Sequence, residues 1–336
     1  MRLSRLMAIW SGAGALACFA PGVGQAARLP AVGADPAKTS VSGLSSGAFM
    51  AVQYDVAYSR ATMGVGIVAG GPYNCAYVNF GGITACMQGA PLGSSSYGAA
   101  QAFAWLGEVD PVDNLKSQKV YMFSGTDDPV VRQSVMDAVF DFYRAAGTPE
   151  ANIQYVKTFA AGHAFISANF SAACSTTATP FINACTSGEA PYDQPYAILN
   201  QIYGPLQPKA TALSSQPMAF SQKEFASGLS GMAATGYVYT PAACKKGAAL
   251  KCAVHVVFHG CGQSADKVGD DVYGKLGYNA WADTNRIVVL YPQVNASAAP
   301  FNPQGCWDWW GYTGFRFQTK SGLQLSAINA MIRRLT

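Results

Sequence analysis

The pentapeptide GLSSG, residues 43–47, constrains this chain more than any other stretch. The run KTSVSGL leading into it reads as a short buried strand. The run SGAFMAVQYDVAYS that follows sets Phe49, Met50, Val52, Val56 and Ala57 at helical spacing. A serine between two glycines at a strand-to-helix junction sits on a strained, tight turn, because a side chain at either glycine would clash with the neighbouring strand and helix. The ordinary alternative is a flexible Gly/Ser loop. What separates the two is whether the rest of the chain supplies a base, an orienting acid and a site for an anion.

The surrounding pattern supports the turn. TMGVGIVAGG, KVYMFSG and IQYVKTFAAGH read as further strands, and SVMDAVFDFYRAAG as an amphipathic helix stopped at Gly147. GYVYTP, AVHVVFHG and RIVVLYPQ give three more strands, and SGLQLSAINAMIRRL a closing helix. Strands alternating with helices predict an α/β fold with a mostly parallel central sheet flanked by helices. Residues 167–235, rich in Ser, Ala, Thr and Pro, are expected to be an insertion or cap-like segment. No repeat or linker divides residues 27–336, so they are read as one domain.

Residues 1–26 have the layout of a secretory signal: two arginines in MRLSR, the apolar LMAIWSGAGALACFA, then small residues up to a cleavage point near Ala26 or Ala27. The apolar stretch of about 15 residues is short of the roughly 20 that span a bilayer, so export, beyond the cell or to the periplasm, is expected rather than membrane insertion. Without Arg2 and Arg5, the 22 basic residues become 20 against 18 acidic ones, a net charge of +2. No Lys/Arg run forms a stripe for phosphates, which argues against nucleic acid. Cys18 lies in the leader, and the other eight cysteines form an even set, as expected of disulfides in an exported chain. Eight cysteines allow 105 pairings. Short loops suggest Cys75–Cys86, Cys174–Cys185 and Cys244–Cys252, leaving Cys261–Cys306. Zinc is a poor rival, since no Cys-x2-Cys pair occurs and there are only three histidines. No metal or organic cofactor is expected.

In GLSSG the third residue, Ser45, is the candidate nucleophile, and the backbone N–H of Ser46 opens the helix toward a developing oxyanion. The base comes from His163, His255 or His259. His255 lies inside a strand and His259 at its end, whereas His163, in AAGHAF, follows a strand in a loop. The acid is Asp127 or Asp128 after KVYMFSG. The pattern of Gly125, Asp128 and Val131 favours Asp128, Asp127 stays open, and an Asp-Pro turn is the bland alternative. The order Ser–Asp–His is that of α/β-hydrolases. The strand ending in His-Gly normally precedes the nucleophile, yet VHVVFHGCGQ follows Ser45 by about two hundred residues. Circular permutation accounts for this, with the Cys261 N–H as the second oxyanion donor.

GLSSGAFMAVQ, GTDDPVV, AAGHAF, VHVVFHGCGQSA and LYPQVNASAAPFNPQGCWDWW together resemble the single-domain extracellular polyhydroxybutyrate depolymerases, whose α/β-hydrolase fold is circularly permuted. The resemblance spans roughly residues 39–317. It implies a secreted serine esterase that cleaves a polyester of 3-hydroxybutyrate. Residue by residue it makes Ser45 the nucleophile, His163 the base and an Asp of the pair the acid, with Ser46 and Cys261 at the oxyanion. In CWDWWGYTGF, Trp307 is expected at the substrate, because Cys306 would tie it beside Cys261; a core role is the alternative for any one of these rings. The chain is expected to act as a monomer. A feruloyl or acetyl esterase of plant polysaccharide, and a non-catalytic secreted binding protein, are the competing functions.

Overall fold

A computed structural model describes residues 26–247 and 250–336. The expected leader, apart from Ala26, lies outside the described residues. Strand β1 (Thr39–Leu44) is buried at every position and turns at Ser45 directly into helix α1 (Ser46–Ala57), also buried throughout. The chain continues with β2 (Thr62–Val68), the short helices α2 (Cys75–Val78) and α3 (Gly82–Gln88), and then α4 (Gly93–Trp105). After these come β3 (Lys119–Phe123), α5 (Gln133–Ala145) and β4 (Ile153–Val156). Four two-residue strands follow, β5 (Phe165–Ile166), β6 (Ile182–Asn183), β7 (Thr186–Ser187) and β8 (Ala190–Pro191), ahead of α6 (Gln194–Tyr203). The remainder holds β9 (Met218–Ser221), β10 (Thr235–Tyr239), β11 (Ala253–Phe258), α7 (Ala265–Val268), α8 (Tyr278–Thr284), β12 (Ile287–Tyr291) and α9 (Leu323–Leu335).

Eight of these strands form one sheet in the order β4-β3-β2-β1-β11-β12-β10-β9. The six from β4 to β12 run parallel, and β10 and β9 close the edge antiparallel. A parallel sheet is covered on both faces, so its strands need apolar residues pointing both ways. VHVVF and IVVLY meet that demand. Val254 and Val256 face the core built with α1, α5 and α9, while Val257 faces the one built with α6 and α8.

Residues 167–235, expected as an insertion or cap-like segment, contribute to the sheet and to the layer that covers it. Within them α6 lies on the sheet, its Ile198 and Ile202 packed over Gly66 and Gly64 of β2, and β9 is the sheet's edge strand. The local cause is legible: Asp193 caps the helix by accepting the Tyr196 N–H at 3.2 Å, Pro195 occupies its first turn, and Ile198, Leu199 and Ile202 form a buried stripe.

The sheet order explains the late His-Gly strand. Counted from β9, the chain would pass β10, β11 and β12 before reaching β1, so the His-Gly strand would precede the serine turn, as in unpermuted hydrolases. The two ends of the described chain touch where the cut requires. Leu335, at the end of α9, accepts the N–H groups of Val32 (3.3 Å) and Ala34 (3.0 Å) through its carbonyl oxygen. The fold is a circularly permuted α/β-hydrolase.

Candidate active site

Ser45 has φ 57° and ψ −124°, a left-handed conformation that a side chain adopts at a cost of about 1–3 kcal/mol. The surroundings enforce it. The Ser45 N–H donates to Val68 O at 2.9 Å, tying the turn to β2. A Cβ on Gly43 would lie 2.3 Å from the Gly47 backbone, and one on Gly47 would lie 2.4 Å from Phe258 O. Both glycines are therefore required by close backbone approach, and the loop is a tight turn. Ser46 opens α1, so its N–H is one of the helix's first four, which have no intrahelical acceptor. Its buried hydroxyl accepts the Trp307 N–H at 3.3 Å.

His163 follows β4 in an irregular segment and is held by its own N–H, which donates to Thr177 Oγ1 at 2.8 Å. Its Nδ1–H donates to Asp128 Oδ2 at 2.8 Å, within a buried pair. The other carboxylate oxygen, Oδ1, accepts the N–H groups of Val130 (2.8 Å) and Val131 (2.9 Å). One side chain thus closes the Asp-Pro turn and faces the imidazole. Asp127 is exposed and accepts the Thr126 hydroxyl at 3.1 Å. With Nδ1 committed, Nε2 is the nitrogen that can serve the cleft.

The two other histidines are fully buried. Ser40 and Ser42 of β1 bond His255 at Nδ1 (2.7 Å) and Nε2 (2.8 Å), and burial pushes its pKa down to about 3. His259 donates from Nδ1 to Gly260 O at 2.7 Å and accepts the Val294 N–H at Nε2, 3.1 Å away. Burial lowers its pKa to about 4, with the Gly260 bond opposing. A trans peptide sets its N–H antiparallel to its C=O, so anchoring the Gly260 carbonyl also fixes the direction of the Cys261 N–H.

Ser45, His163 and Cys261 all line one cleft of about 600 Å³. Phe49, Trp309 and Trp310 form its aromatic wall, and among the described residues none that lines it is Lys, Arg, Asp or Glu. Trp307 does not reach the cleft. Its ring is fully buried against Phe258 and His259, with centroids at 5.0 and 5.5 Å. The tie through Cys306 carries the backbone to this place but does not say which way the ring turns. Trp309 and Trp310, two and three residues on, are the rings at the wall, and the cluster CWDWWGYTGF is the signal that contains them. The disulfides are Cys75–Cys86, Cys174–Cys185, Cys244–Cys252 and Cys261–Cys306, and both sulfurs of the last belong to residues of the cleft wall. Among the described residues no helix is long and apolar enough to cross a membrane.

No protein-family model matches the chain. It is 41% identical over 342 residues to a poly(3-hydroxybutyrate) depolymerase of Delftia acidovorans, an alignment covering 100% of this chain and 67% of that protein. It is 38% identical over 333 residues to a polyhydroxybutyrate depolymerase of Talaromyces funiculosus, covering 92% and 93%. The crystal structure of the PHB depolymerase from Penicillium funiculosum superposes with a TM-score of 0.82 at 36% identity, over 92% of this chain and 98% of that one. A serine-to-alanine variant of a PHB depolymerase, complexed with an R3HB trimer, superposes with the same TM-score at 35% identity and the same coverage. Identity at this level, sustained along nearly the whole of both chains, means that the chain belongs to the polyhydroxybutyrate depolymerase family.

Proposed function

We propose that this carboxylic ester hydrolase cleaves poly(3-hydroxybutyrate) and its oligomers through an acyl-enzyme on Ser45. Ser45 Oγ attacks the ester carbonyl while His163 Nε2 takes its proton, and Asp128 holds the imidazole in the tautomer this needs. The N–H groups of Ser46 and Cys261 receive the oxyanion. Collapse of the tetrahedral intermediate expels the alcohol end of the polymer, which recovers the proton from His163. Water then attacks the acyl-enzyme with the same groups in reverse roles, freeing the acid end and restoring Ser45.

The observation that carries this reading is the 2.8 Å bond from His163 to Asp128 beside a strained Ser45 on the wall of the same cleft. The substrate follows from the relatives' named activity and from an aromatic, uncharged wall suited to an apolar ester chain. Four disulfides support export to an oxidising compartment. In the Ser45→Ala protein, with its fold checked by circular dichroism, release of 3-hydroxybutyrate from a polymer film should fall by roughly a millionfold, to the assay floor. Undiminished clearing of the film defeats the mechanism. Faster turnover of feruloylated sugars than of hydroxybutyrate oligomers defeats the substrate.

A further inference from the structure

Asp308 sits within the aromatic segment but is turned away from the cleft and buried. Its Oδ1 accepts the N–H groups of Trp310 (3.3 Å), Gly311 (2.7 Å) and Tyr312 (3.1 Å). Oδ2 accepts the N–H and the hydroxyl of Thr313, at 2.8 and 2.6 Å. Four successive backbone N–H groups, from residues 310 to 313, therefore converge on one carboxylate, as in an anion-binding nest. The chain is wrapped around a buried side chain of its own, and the shape of this loop is set from inside.

Asp308 is itself pinned from two directions. Its N–H donates to Gln324 Oε1 of α9 at 2.8 Å, and its carbonyl accepts Gln53 Nε2 of α1 at 2.9 Å. Gln53 stands four residues beyond Phe49 on α1, hence on the same helix face. Phe49 stacks on Trp309 with centroids 4.2 Å apart and planes 16° from parallel. Trp309 in turn meets Trp310 edge-on at 5.4 Å. The helix that starts beside the serine turn and the loop that forms the aromatic wall are thus joined three times, by Ser46 to Trp307, by Gln53 to Asp308 and by Phe49 to Trp309.

We propose that Asp308 is a positioning residue that holds Trp309 and Trp310 at the spacing needed to grip a polyester chain, and takes no part in breaking the bond. This rests on the ester-hydrolase reading of the cleft. An ester small enough to occupy only the space around Ser45 makes little use of the wall. A chain of hydroxybutyrate units must lie along it. Disordering the wall removes contacts that ground state and transition state share, and loss of such uniform binding raises KM while kcat stays near its value.

The test compares kinetics of the full chain, of Asp308→Asn and of Thr313→Val on p-nitrophenyl acetate and on the 3-hydroxybutyrate trimer. In Asp308→Asn one oxygen that accepts N–H groups becomes an amide that repels them. The KM for the trimer should rise about tenfold, with kcat on either substrate within about threefold of wild type. Thr313→Val, which removes only the hydroxyl donor, should shift the trimer KM the same way by about threefold. An unchanged trimer KM in a folded Asp308→Asn protein overturns the proposal. So does an equal collapse of kcat on both esters, which would place Asp308 with the reacting groups. If Asp308→Asn fails to fold, Thr313→Val decides alone, and an unchanged trimer KM overturns it. A wild-type protein that cleaves the short ester but not the trimer defeats the substrate reading and this proposal with it, whereas the kinetics of the variants bear on the wall alone.

Discussion

Mild acid should weaken this protein through two histidines that lie outside the cleft. His255 and His259 are buried and neutral, with folded pKa values held down to about 3 and about 4 by desolvation. In the unfolded chain both titrate near 6.5. Below that pH the unfolded state takes up protons that the native state refuses, so the stability these groups give above 6.5 is lost as pH falls toward the folded values. Between pH 7 and pH 5 the loss is about 2 kcal/mol for each histidine. Asp55 acts in the opposite sense. Burial raises its carboxyl to about 7, against the pull of the Tyr143 hydroxyl 2.8 Å away, so over the same interval the native state holds a proton that the unfolded state lacks. That adds about 2 kcal/mol on acidification, leaving a net loss of about 2 kcal/mol from the three groups. His255→Gln isolates one contribution. Whatever its stability at pH 7, this variant should lose about 2 kcal/mol less than wild type on going to pH 5. Asp55→Asn should lose about 2 kcal/mol more. Urea unfolding followed by tryptophan fluorescence at pH 7, 6 and 5 supplies the slopes, and parallel slopes for wild type and His255→Gln would refute the assignment of a neutral, buried imidazole.

Asp128→Asn should reduce kcat on a soluble ester by about 10⁴ while leaving the fold intact, through loss of the correct imidazole tautomer. Asp127→Asn should stay within about twofold of wild type, as expected of an exposed group, and the reverse outcome transfers the role to Asp127. Gly47→Ala would place a Cβ 2.4 Å from Phe258 O and 2.5 Å from His259 O, and backbone carbonyls of a central strand have no room to yield. It should cost on the order of 3 kcal/mol and depress activity, and an unchanged thermal midpoint would contradict the close approach of turn and strand.

The elements that carry the sheet were legible because parallel strands, buried on both faces, write continuous apolar runs into the sequence. Lys119–Phe123, Ala253–Phe258 and Ile287–Tyr291 lie within such runs, whereas Thr39–Leu44, with Ser40 and Ser42 turned to His255, was read from the serine turn it enters. Helix α4, GSSSYGAAQAFAW, was not legible, since small residues and two glycines give it little apolar contrast. Helix α6 was not read either: its cap, its proline and its isoleucine spacing are in the sequence, but they lie inside a Ser-, Ala-, Thr- and Pro-rich segment of weak periodicity. At the cleft, spacing located the serine turn, the imidazole loop and the paired aspartates, because each follows a readable strand. It did not locate the aromatic wall. Whether Trp307, Trp309 or Trp310 faces the cleft depends on how the loop folds around Asp308, a matter of hydrogen bonds between residues 308 and 313 that apolar periodicity does not record.

Permutation leaves such a site undisturbed for a geometric reason. Ser45 follows β1, Asp128 follows β3, His163 follows β4 and Cys261 follows β11, so each lies beyond the carboxyl end of its strand. Those four strands run parallel within one sheet, with β11 beside β1 and only β2 between β1 and β3. Parallel strands gather their carboxyl ends along one edge, which is where open α/β sheets bind ligands whatever the order in which the chain visits the strands. The cut lies between α9 and β1, among segments that enter β1 from its amino end. There the Leu335 carbonyl still holds Val32 and Ala34 where a continuous chain would have passed. Moving the chain break to that edge changes which strand is made first. It leaves the placement of Ser45, His163 and Cys261 around one cleft to the sheet, which is the same sheet in either order.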